Sequence, residues 1–473
     1  MGLPRVAWEA DAAPLALAVT GGLAAGYCAI ELRPLTGALA LLAMGVALSA
    51  VARPPIGLMF IAALLPLERW GLLAGSASIL KILVVLTGCG WAWREVAYAR
   101  DRRMRMQPLD WIMAYYAAVL CLGAFRDVPS EATCEKAVVS LAPVVLYALC
   151  RVIATRPERV RGIATCLILG ALGVALYGIY ASVLHLAGPR SMAGFPDPNR
   201  YGSTLAALCA FGVALAAASG RGVNLAGGVL FILLTAATAA SASRTGIMVW
   251  LIVVIAGVAL RRTRRATLIV GALAAIIAAL LAPPALWARL PSAAVWRYDP
   301  GIPGSGGAGR QELHVVATRA LGDSPLLGMG RQRFITTFDT YTQGLRTPRT
   351  KGQPMVAHNT WLELGIIGGV LAMALFTGAL VLAVRRAFAA HRLALEAGQS
   401  TLAALALGAA GTIIAFAAAG LFLGAQDSKY LFLIMAIGPC THDALRPWAP
   451  ACHTHRNDTH EARLSPVISS PME

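Results

Sequence analysis

Long apolar stretches separated by short polar turns fill most of this 473-residue chain. Most of them are about 17–25 residues long, and a helix of that length crosses the hydrocarbon layer of a bilayer. The candidate spans are 12–30, 36–52, 54–67, 77–94, 110–126, 136–154, 162–187, 201–219, 224–241, 246–260, 266–285, 360–384, 401–424 and 429–442. Segment 54–67 is short and begins with two prolines, so it is also a candidate re-entrant segment. The pattern predicts an all-α fold, a polytopic membrane helix bundle of about 12–14 transmembrane helices.

One long polar segment interrupts this pattern and divides the chain. We predict transmembrane helices over 1–285, with outer-face motifs at 190–202 and 243–246. A large loop over 286–359, C-terminal transmembrane helices over 360–442 and a disordered tail over 443–473 follow. Within the loop, a segment that begins at Arg310 has apolar residues at helical spacing, which predicts a helix lying on the outer membrane surface. These apolar residues are Leu313, Val316, Ala317, Ala320 and Leu321.

Arginine clusters predict the orientation of the bundle. They lie at 100–105, 151–161, 261–265 and 385–392, and the predicted spans place all four on the same side. Short loops rich in Lys and Arg face the cytoplasm, so both termini are expected there and the long loop in the periplasm. The same clusters account for the net charge of +17, so no nucleic-acid partner is predicted. Only 13% of the residues are charged, whereas soluble domains have about 25%.

Arg244 is the first candidate functional residue. It lies between two spans at the outer face, among the hydroxyls of Ser241, Ser243 and Thr245. A charged residue at the edge of a membrane span is a functional candidate by default. The alternative is an arginine that extends its side chain to the interface and binds no ligand.

Two further candidates lie in the long loop. Arg310 follows a Gly-rich stretch at the start of a predicted helix, which is a geometry that can bind phosphate. The alternative is a linker before an ordinary surface helix. His358, where the loop meets the next span, is a candidate for proton transfer because imidazole titrates near neutral pH; the alternative is an interfacial polar residue. No metal site is predicted, since ligands at suitable spacing are lacking around His358.

Asn199 and Arg200 follow a proline-rich turn and are predicted at the same outer face. Three hairpins would therefore present Asn199 and Arg200, Arg244, and His358 to one side, beneath the basic loop. Two guanidinium groups suit a diphosphate, because arginine binds phosphate through two hydrogen bonds and stays charged.

Five short motifs occur in order over about residues 190–370. They are Phe195-Pro-Asp-Pro-Asn-Arg-Tyr, Ser243-Arg-Thr-Gly, Gly309-Arg-Gln-Glu-Leu, Ser324-Pro-Leu-Leu-Gly-Met-Gly and His358-Asn-Thr-Trp-Leu-Glu-Leu-Gly-Ile-Ile-Gly. In these motifs the chain resembles the bacterial O-antigen ligases and O-antigen polymerases, which are membrane glycosyltransferases.

The resemblance implies a bundle of about twelve helices with a large periplasmic loop, and no metal or other cofactor. It implies a glycan donor carried on undecaprenyl diphosphate in the bacterial inner membrane, with the active site facing the periplasm. By that likeness, Arg244 and Arg310 would bind the diphosphate, and His358 would assist the acceptor hydroxyl. Candidate supporting residues are Asn199, Arg200, Ser243 and Asn359.

The acceptor is open at this stage. A ligase uses lipid A core, a polymerase uses another lipid-linked repeat, and a protein O-oligosaccharyltransferase uses a protein; we favour the ligase. A flippase or transporter of lipid-linked sugar is the alternative from another class. A flippase needs charges along a path through the membrane, whereas charges in the middle of the spans are few, Lys81 being the main exception.

Overall fold

The computed structural model describes residues 44–67, 79–98, 106–184, 193, 195, 197–289, 308–345 and 357–446. These residues are mostly helical and include no strand. Residues 44–52 are helical. The subsequent helices are α1 (Pro54–Leu64), α2 (Ile79–Tyr98), α3 (Pro108–Arg126), α4 (Glu131–Ile153), α5 (Pro157–Val183), α6 (Pro198–Ala216), α7 (Arg221–Ala240), α8 (Arg244–Ala259), α9 (Arg264–Leu281), α10 (Pro284–Arg289), α11 (Ala308–Asp323), α12 (Arg331–Thr336), α13 (Phe338–Tyr341), α14 (Thr360–Glu396), α15 (Ser400–Ala419) and α16 (Lys429–Leu445).

The predicted all-α membrane bundle is confirmed. Seven of the described helices are long and apolar enough to span a membrane, namely α3, α4, α5, α7, α9, α14 and α15. The helices α1 and α8 are shorter but apolar. The predicted span 12–30 lies outside the described residues, and so does the first part of 36–52.

Helix α6 lies at the centre of the bundle and packs on α7, α8 and α15. All its residues from Tyr201 to Ala214 are buried. Small residues permit this close packing, as is common between membrane helices. A Cβ atom added at Gly202 would lie 2.3 Å from Ser241 Oγ, and one at Gly246 would lie 3.0 Å from the carbonyl carbon of Gly202. This crossing holds the start of α6 against the α7–α8 turn.

One end of the bundle collects the arginine clusters. Arg161 Nη2 donates to Gln399 Oε1 at 2.9 Å, which joins the start of α5 to the α14–α15 turn. Arg262 lies close enough to His391 to act on it electrostatically. The clusters at 151–161, 261–265 and 385–392 thus lie at the same end, as the spans predict. The cluster at 100–105 lies outside the described residues.

Arg151 differs from the other residues of its cluster because it is buried, with only 3% of its surface exposed. Its Nε lies 2.8 Å from Asp110 Oδ1, and its Nη1 lies 3.0 Å from Asp443 Oδ2. This ion-paired group joins α3, α4 and α16. Asp443 therefore belongs to α16, which continues to Leu445, rather than to the predicted tail. Residues 447–473 of that tail lie outside the described residues.

Helix α14 is broken at Gly368 and Gly369, where the backbone leaves the helical region. The loop segment before α12 fills this break. Met329 N donates to Ile366 O at 2.9 Å, and Val370 N donates to Pro325 O at 2.8 Å. Two motifs that are far apart in sequence, Ser324–Gly330 and the start of α14, therefore form one hydrogen-bonded unit.

Helix α11 has the apolar face that its sequence predicts, but this face is covered by protein. Val316, Ala317 and Ala320 are buried in a cluster that includes Phe334 and Ile366. The expectation of a helix lying on the outer membrane surface through this face is therefore wrong. The loop segment around Phe334 and the first turns of α14 offer the same residues a closely packed protein surface.

Candidate functional site

The α7–α8 turn and the start of α6 meet at the end of the bundle opposite the arginine clusters. Ser243 caps α8, since its Oγ accepts from Gly246 N at 3.1 Å. The same Oγ donates to Asn199 Oδ1 at 3.1 Å. Asp197 caps α6 by accepting from Asn199 N at 2.8 Å. The structure therefore brings the predicted residues Asn199 and Ser243 into direct contact.

Arg244 is the first residue of α8, and it is exposed. Its guanidinium makes no hydrogen bond or ion pair with another described residue. The free backbone N–H groups of a helix N-terminus add partial positive charge at this position. The group is therefore available to an anionic ligand, although its role stays a prediction.

His358 lies just before α14 in a left-handed backbone conformation, with φ of 51°. Such a conformation is uncommon for a residue with a Cβ atom and costs about 1–2 kcal/mol. The following residue holds it in place, because Asn359 Oδ1 accepts from Trp361 N at 3.0 Å and Leu362 N at 3.1 Å. Asn359 therefore acts as a helix cap that fixes the backbone beside His358.

The start of α14 is also tied to the turn after α15. Asn359 Nδ2 donates to Leu421 O at 3.2 Å, and Thr360 Oγ1 donates to Leu423 O at 2.8 Å. Ala425 N in turn donates to Thr360 Oγ1 at 2.8 Å. His358 is therefore on the same end of the bundle as residues 420–430.

The side chain of Arg310 lies outside the described residues, although its backbone belongs to the first turn of α11. Helix α11 packs on the first part of α14, where a Cβ atom at Gly365 would lie 3.2 Å from the side chain of Leu321. The role of Arg310 in binding diphosphate stays a prediction.

Not all cations of the loop are available to a ligand. Arg319 Nη1 donates to Tyr341 O at 2.9 Å and to Gln343 O at 2.8 Å, so it holds the α13 region to α11. The hydroxyl of Tyr341 donates to Asp323 Oδ2 at 2.6 Å. Burial and this carboxylate raise the pKa of Tyr341 to about 12, so the hydroxyl stays protonated. Arg319 therefore stabilises the loop as well as giving it charge.

A buried carboxylate lies five residues after His358 and was not among the predicted site residues. Glu363 is only 4% exposed. Arg331 Nη2 lies 3.4 Å from both Glu363 Oε2 and Asp427 Oδ2. Gln426 Nε2 also donates to Glu363 Oε2, whereas Glu363 Oε1 has no hydrogen-bond partner among the described residues. The signal in the sequence was a carboxylate inside an apolar span, which marks a functional candidate.

Asp127, at the outer end of α3, fixes the position of Arg331. Its Oδ2 accepts from Gln332 N at 2.8 Å, and its Oδ1 accepts from Arg333 N at 2.6 Å. A carboxylate at a helix N-terminus is favourable because it pairs with free N–H groups and with the helix dipole. Helix α12 is thereby held against the bundle, with Arg331 directed to Glu363.

A half-open cavity of about 120 Å³ lies between the start of α6 and the segment that joins α15 to α16. Residues of its lining include Phe195, Arg200, Ser203, Asp427 and Tyr430. The positive charges of Arg331 and Arg200 both act on the carboxylate of Glu363. Because Arg200 also lines the cavity, the cavity is close to this buried carboxylate.

Residues 229–377 match the family model described as O-antigen ligase. This segment is an O-antigen ligase domain. The resemblance to O-antigen ligases and polymerases is confirmed over about a third of the chain. No curated protein matches the chain.

The O-antigen ligase domain begins within α7 and ends within α14. It contains Arg244, Arg310 and His358, whereas Asn199 and Arg200 lie before it. Members of this family are glycosyltransferase-like membrane enzymes that act on lipid-linked glycans. The chain is accordingly a multi-pass membrane protein that contains a domain of this type over residues 229–377.

Proposed function

We propose that this protein transfers a glycan from undecaprenyl diphosphate to an acceptor hydroxyl at the periplasmic face of the bacterial inner membrane. We further propose that the acceptor is lipid A core, as in an O-antigen ligase. The observation that carries the proposal is the family match over 229–377, which contains an exposed arginine at a helix N-terminus, Arg244. His358 lies at the same end of the bundle.

The distribution of charge supports the proposed orientation. The arginine clusters lie at the end of the bundle opposite Arg244 and His358, and short basic loops face the cytoplasm. Reporter fusions after residues 245 and 330 should therefore be active in the periplasm. Cytoplasmic activity at either position would contradict the proposed orientation.

In the proposed reaction, the acceptor oxygen forms a bond to the anomeric carbon of the donor sugar. The bond between that carbon and the phosphate oxygen breaks, and its electron pair leaves with undecaprenyl diphosphate. Arg244 and Arg310 stabilise the negative charge that grows on the leaving group. No divalent metal is required if these two guanidinium groups neutralise the diphosphate.

His358 accepts the proton of the acceptor hydroxyl or orients that hydroxyl for attack. Asn359 supports it through the backbone by capping α14. Asn199 and Ser243 support Arg244 in a similar way, since their hydrogen bond fixes the α7–α8 turn against α6.

Lipopolysaccharide from a deletion strain tests the choice of acceptor. A ligase predicts bare lipid A core together with full-length glycan left on the lipid carrier. Core capped with a single repeat would instead indicate a polymerase, and unchanged lipopolysaccharide with an unglycosylated protein would indicate an O-oligosaccharyltransferase. Purified protein in proteoliposomes, with donor already in the outer leaflet, separates all of these from a flippase, which would give no transfer.

A further inference from the structure

The cavity beside α6 is lined by neighbours of both groups of residues that the proposed reaction needs. On one side, Arg200 and Ser203 line it. They follow Asn199, whose side chain accepts the hydrogen bond from Ser243 next to Arg244. The cavity is therefore close to the proposed site of the leaving diphosphate.

On its other side, the cavity is close to His358. Leu423 and Gly424 line it, and Leu423 O accepts the hydrogen bond from Thr360 Oγ1, two residues after His358. A group bound in the cavity would therefore be near both the proposed leaving-group site and the proposed acceptor site.

The cavity offers both donors and acceptors. Arg200 supplies a guanidinium whose N–H groups make no hydrogen bond with another described residue. Asp427 supplies carboxylate oxygens. Sugar hydroxyls both donate and accept, so they suit this mixture of a cation and a carboxylate.

An aromatic wall completes the cavity. The rings of Phe195 and Tyr430 stack with centroids 6.3 Å apart and an interplanar angle of 19°. Tyr430 OH donates to Leu65 O at 3.0 Å, which fixes the ring. Pockets of this kind, with an apolar wall and a few placed polar groups, are typical of small-ligand sites. The volume of about 120 Å³ is close to the roughly 150 Å³ that admits one benzene ring, and the open side adds room for ring substituents.

A second observation marks the same wall. Glu363 is buried, and its Oε1 has no hydrogen-bond partner among the described residues. The carboxylate lies directly behind Gly424, where an added Cβ atom would be 3.0 Å from that oxygen. A buried carboxylate oxygen without a hydrogen-bond partner costs free energy, and this one lies just behind the cavity wall.

We propose that this cavity binds the sugar ring that is bonded to the diphosphate of the donor. This proposal rests on the proposed function. The anomeric carbon of that ring is the atom that exchanges the diphosphate for the acceptor oxygen, so the ring must lie near both sites. Arg200 and Asp427 are then its hydrogen-bonding partners, and the aromatic wall packs against its apolar face.

The test compares binding of two probes to the purified full-length protein in nanodiscs. These probes are undecaprenyl diphosphate and undecaprenyl diphosphate bearing one N-acetylglucosamine. Wild type should bind the sugar-bearing probe about tenfold more tightly, because one or two charge-assisted hydrogen bonds are added. Arg200→Met and Asp427→Asn should each lose this preference, while their affinity for the bare probe stays within about twofold.

Lys136→Met is the matched control, since Lys136 is an exposed cation outside the cavity. It should keep the preference. Thermal unfolding of each variant separates lost binding from lost folding, and Asp427→Asn retains the shape of the side chain if Arg200→Met proves unstable.

Three outcomes overturn the proposal. If the cavity variants keep the wild-type preference, the ring lies elsewhere. If they lose affinity for both probes equally, the cavity binds the diphosphate. If only the KM for acceptor rises in transfer assays, the cavity binds the acceptor glycan. Failure of wild type to bind either probe would instead contradict the proposed function itself.

Discussion

Replacing Arg244 by lysine tests the proposed diphosphate site directly. Lysine retains the positive charge but loses the planar pair of donors that binds two phosphate oxygens at once. Because Arg244 is exposed and makes no hydrogen bond or ion pair with another described residue, the change removes no described contact that stabilises the fold. The expected loss is one hydrogen bond to a charged group, about 1.5–3 kcal/mol. This corresponds to a transfer rate lower by about 10- to 150-fold.

The assay is glycan transfer by purified protein in proteoliposomes, with donor supplied in the outer leaflet. Arg261→Lys is a matched control, since Arg261 is also exposed but lies at the opposite end of the bundle. It should keep the wild-type rate, and both variants should unfold at the wild-type temperature. A wild-type rate for Arg244→Lys at normal expression would refute the reasoning and leave Arg244 as an interfacial arginine.

Three further predictions concern the acceptor, the loop and the metal. His358→Asn should lower turnover by about 10²- to 10⁴-fold while binding of undecaprenyl diphosphate is retained. Asparagine is chosen because it tolerates the left-handed backbone at this position. Normal turnover in this variant would remove His358 from the mechanism. Gly369→Ala should lower the free energy of unfolding by at least about 2 kcal/mol, because its φ is 66° and its Cβ atom would lie 2.2 Å from Leu326 O; Gly222→Ala, with open space around it, is the control in the same thermal measurement. EDTA should leave transfer unchanged, and loss of activity that magnesium or manganese restores would contradict the metal-independent mechanism.

The apolar pattern predicted the hairpins well, and the reason is physical. Each span must satisfy its own backbone hydrogen bonds in lipid, so length and apolarity alone indicate a helix. The spacing of the arginine clusters then indicated which ends of the helices lie together. The hydrogen bond of Arg161 to Gln399 and the electrostatic interaction of Arg262 with His391 agree with it. Even the approach of Asn199 to Ser243 follows from this placement, because both residues are at the outer ends of neighbouring helices.

Side-chain contacts between segments that are distant in sequence could not be predicted from the sequence. Arg331 contacts Glu363 and Asp427, which are 32 and 96 residues away. A hydrophobic period reports which face of one helix is apolar, but it does not report what covers that face. The apolar face of α11 was therefore expected at the membrane surface, whereas it packs against Phe334 and Ile366.

The break in α14 links these distant pairs to the proposed chemistry. Gly368 and Gly369 leave the helical region, so Ile366 O is free to accept from Met329 N and Gly330 N. Helix α12 begins at the next residue, and the carboxylate of Asp127 caps it from the other side. The backbone is therefore fixed on both sides of Arg331, by Ile366 O before it and by Asp127 after it. The guanidinium of Arg331 contacts the carboxylate of Glu363, five residues after His358. The glycine pair in α14 therefore permits the long loop to pack into the bundle. The loop thereby places the guanidinium of Arg331 at the end of the bundle where the candidate site lies.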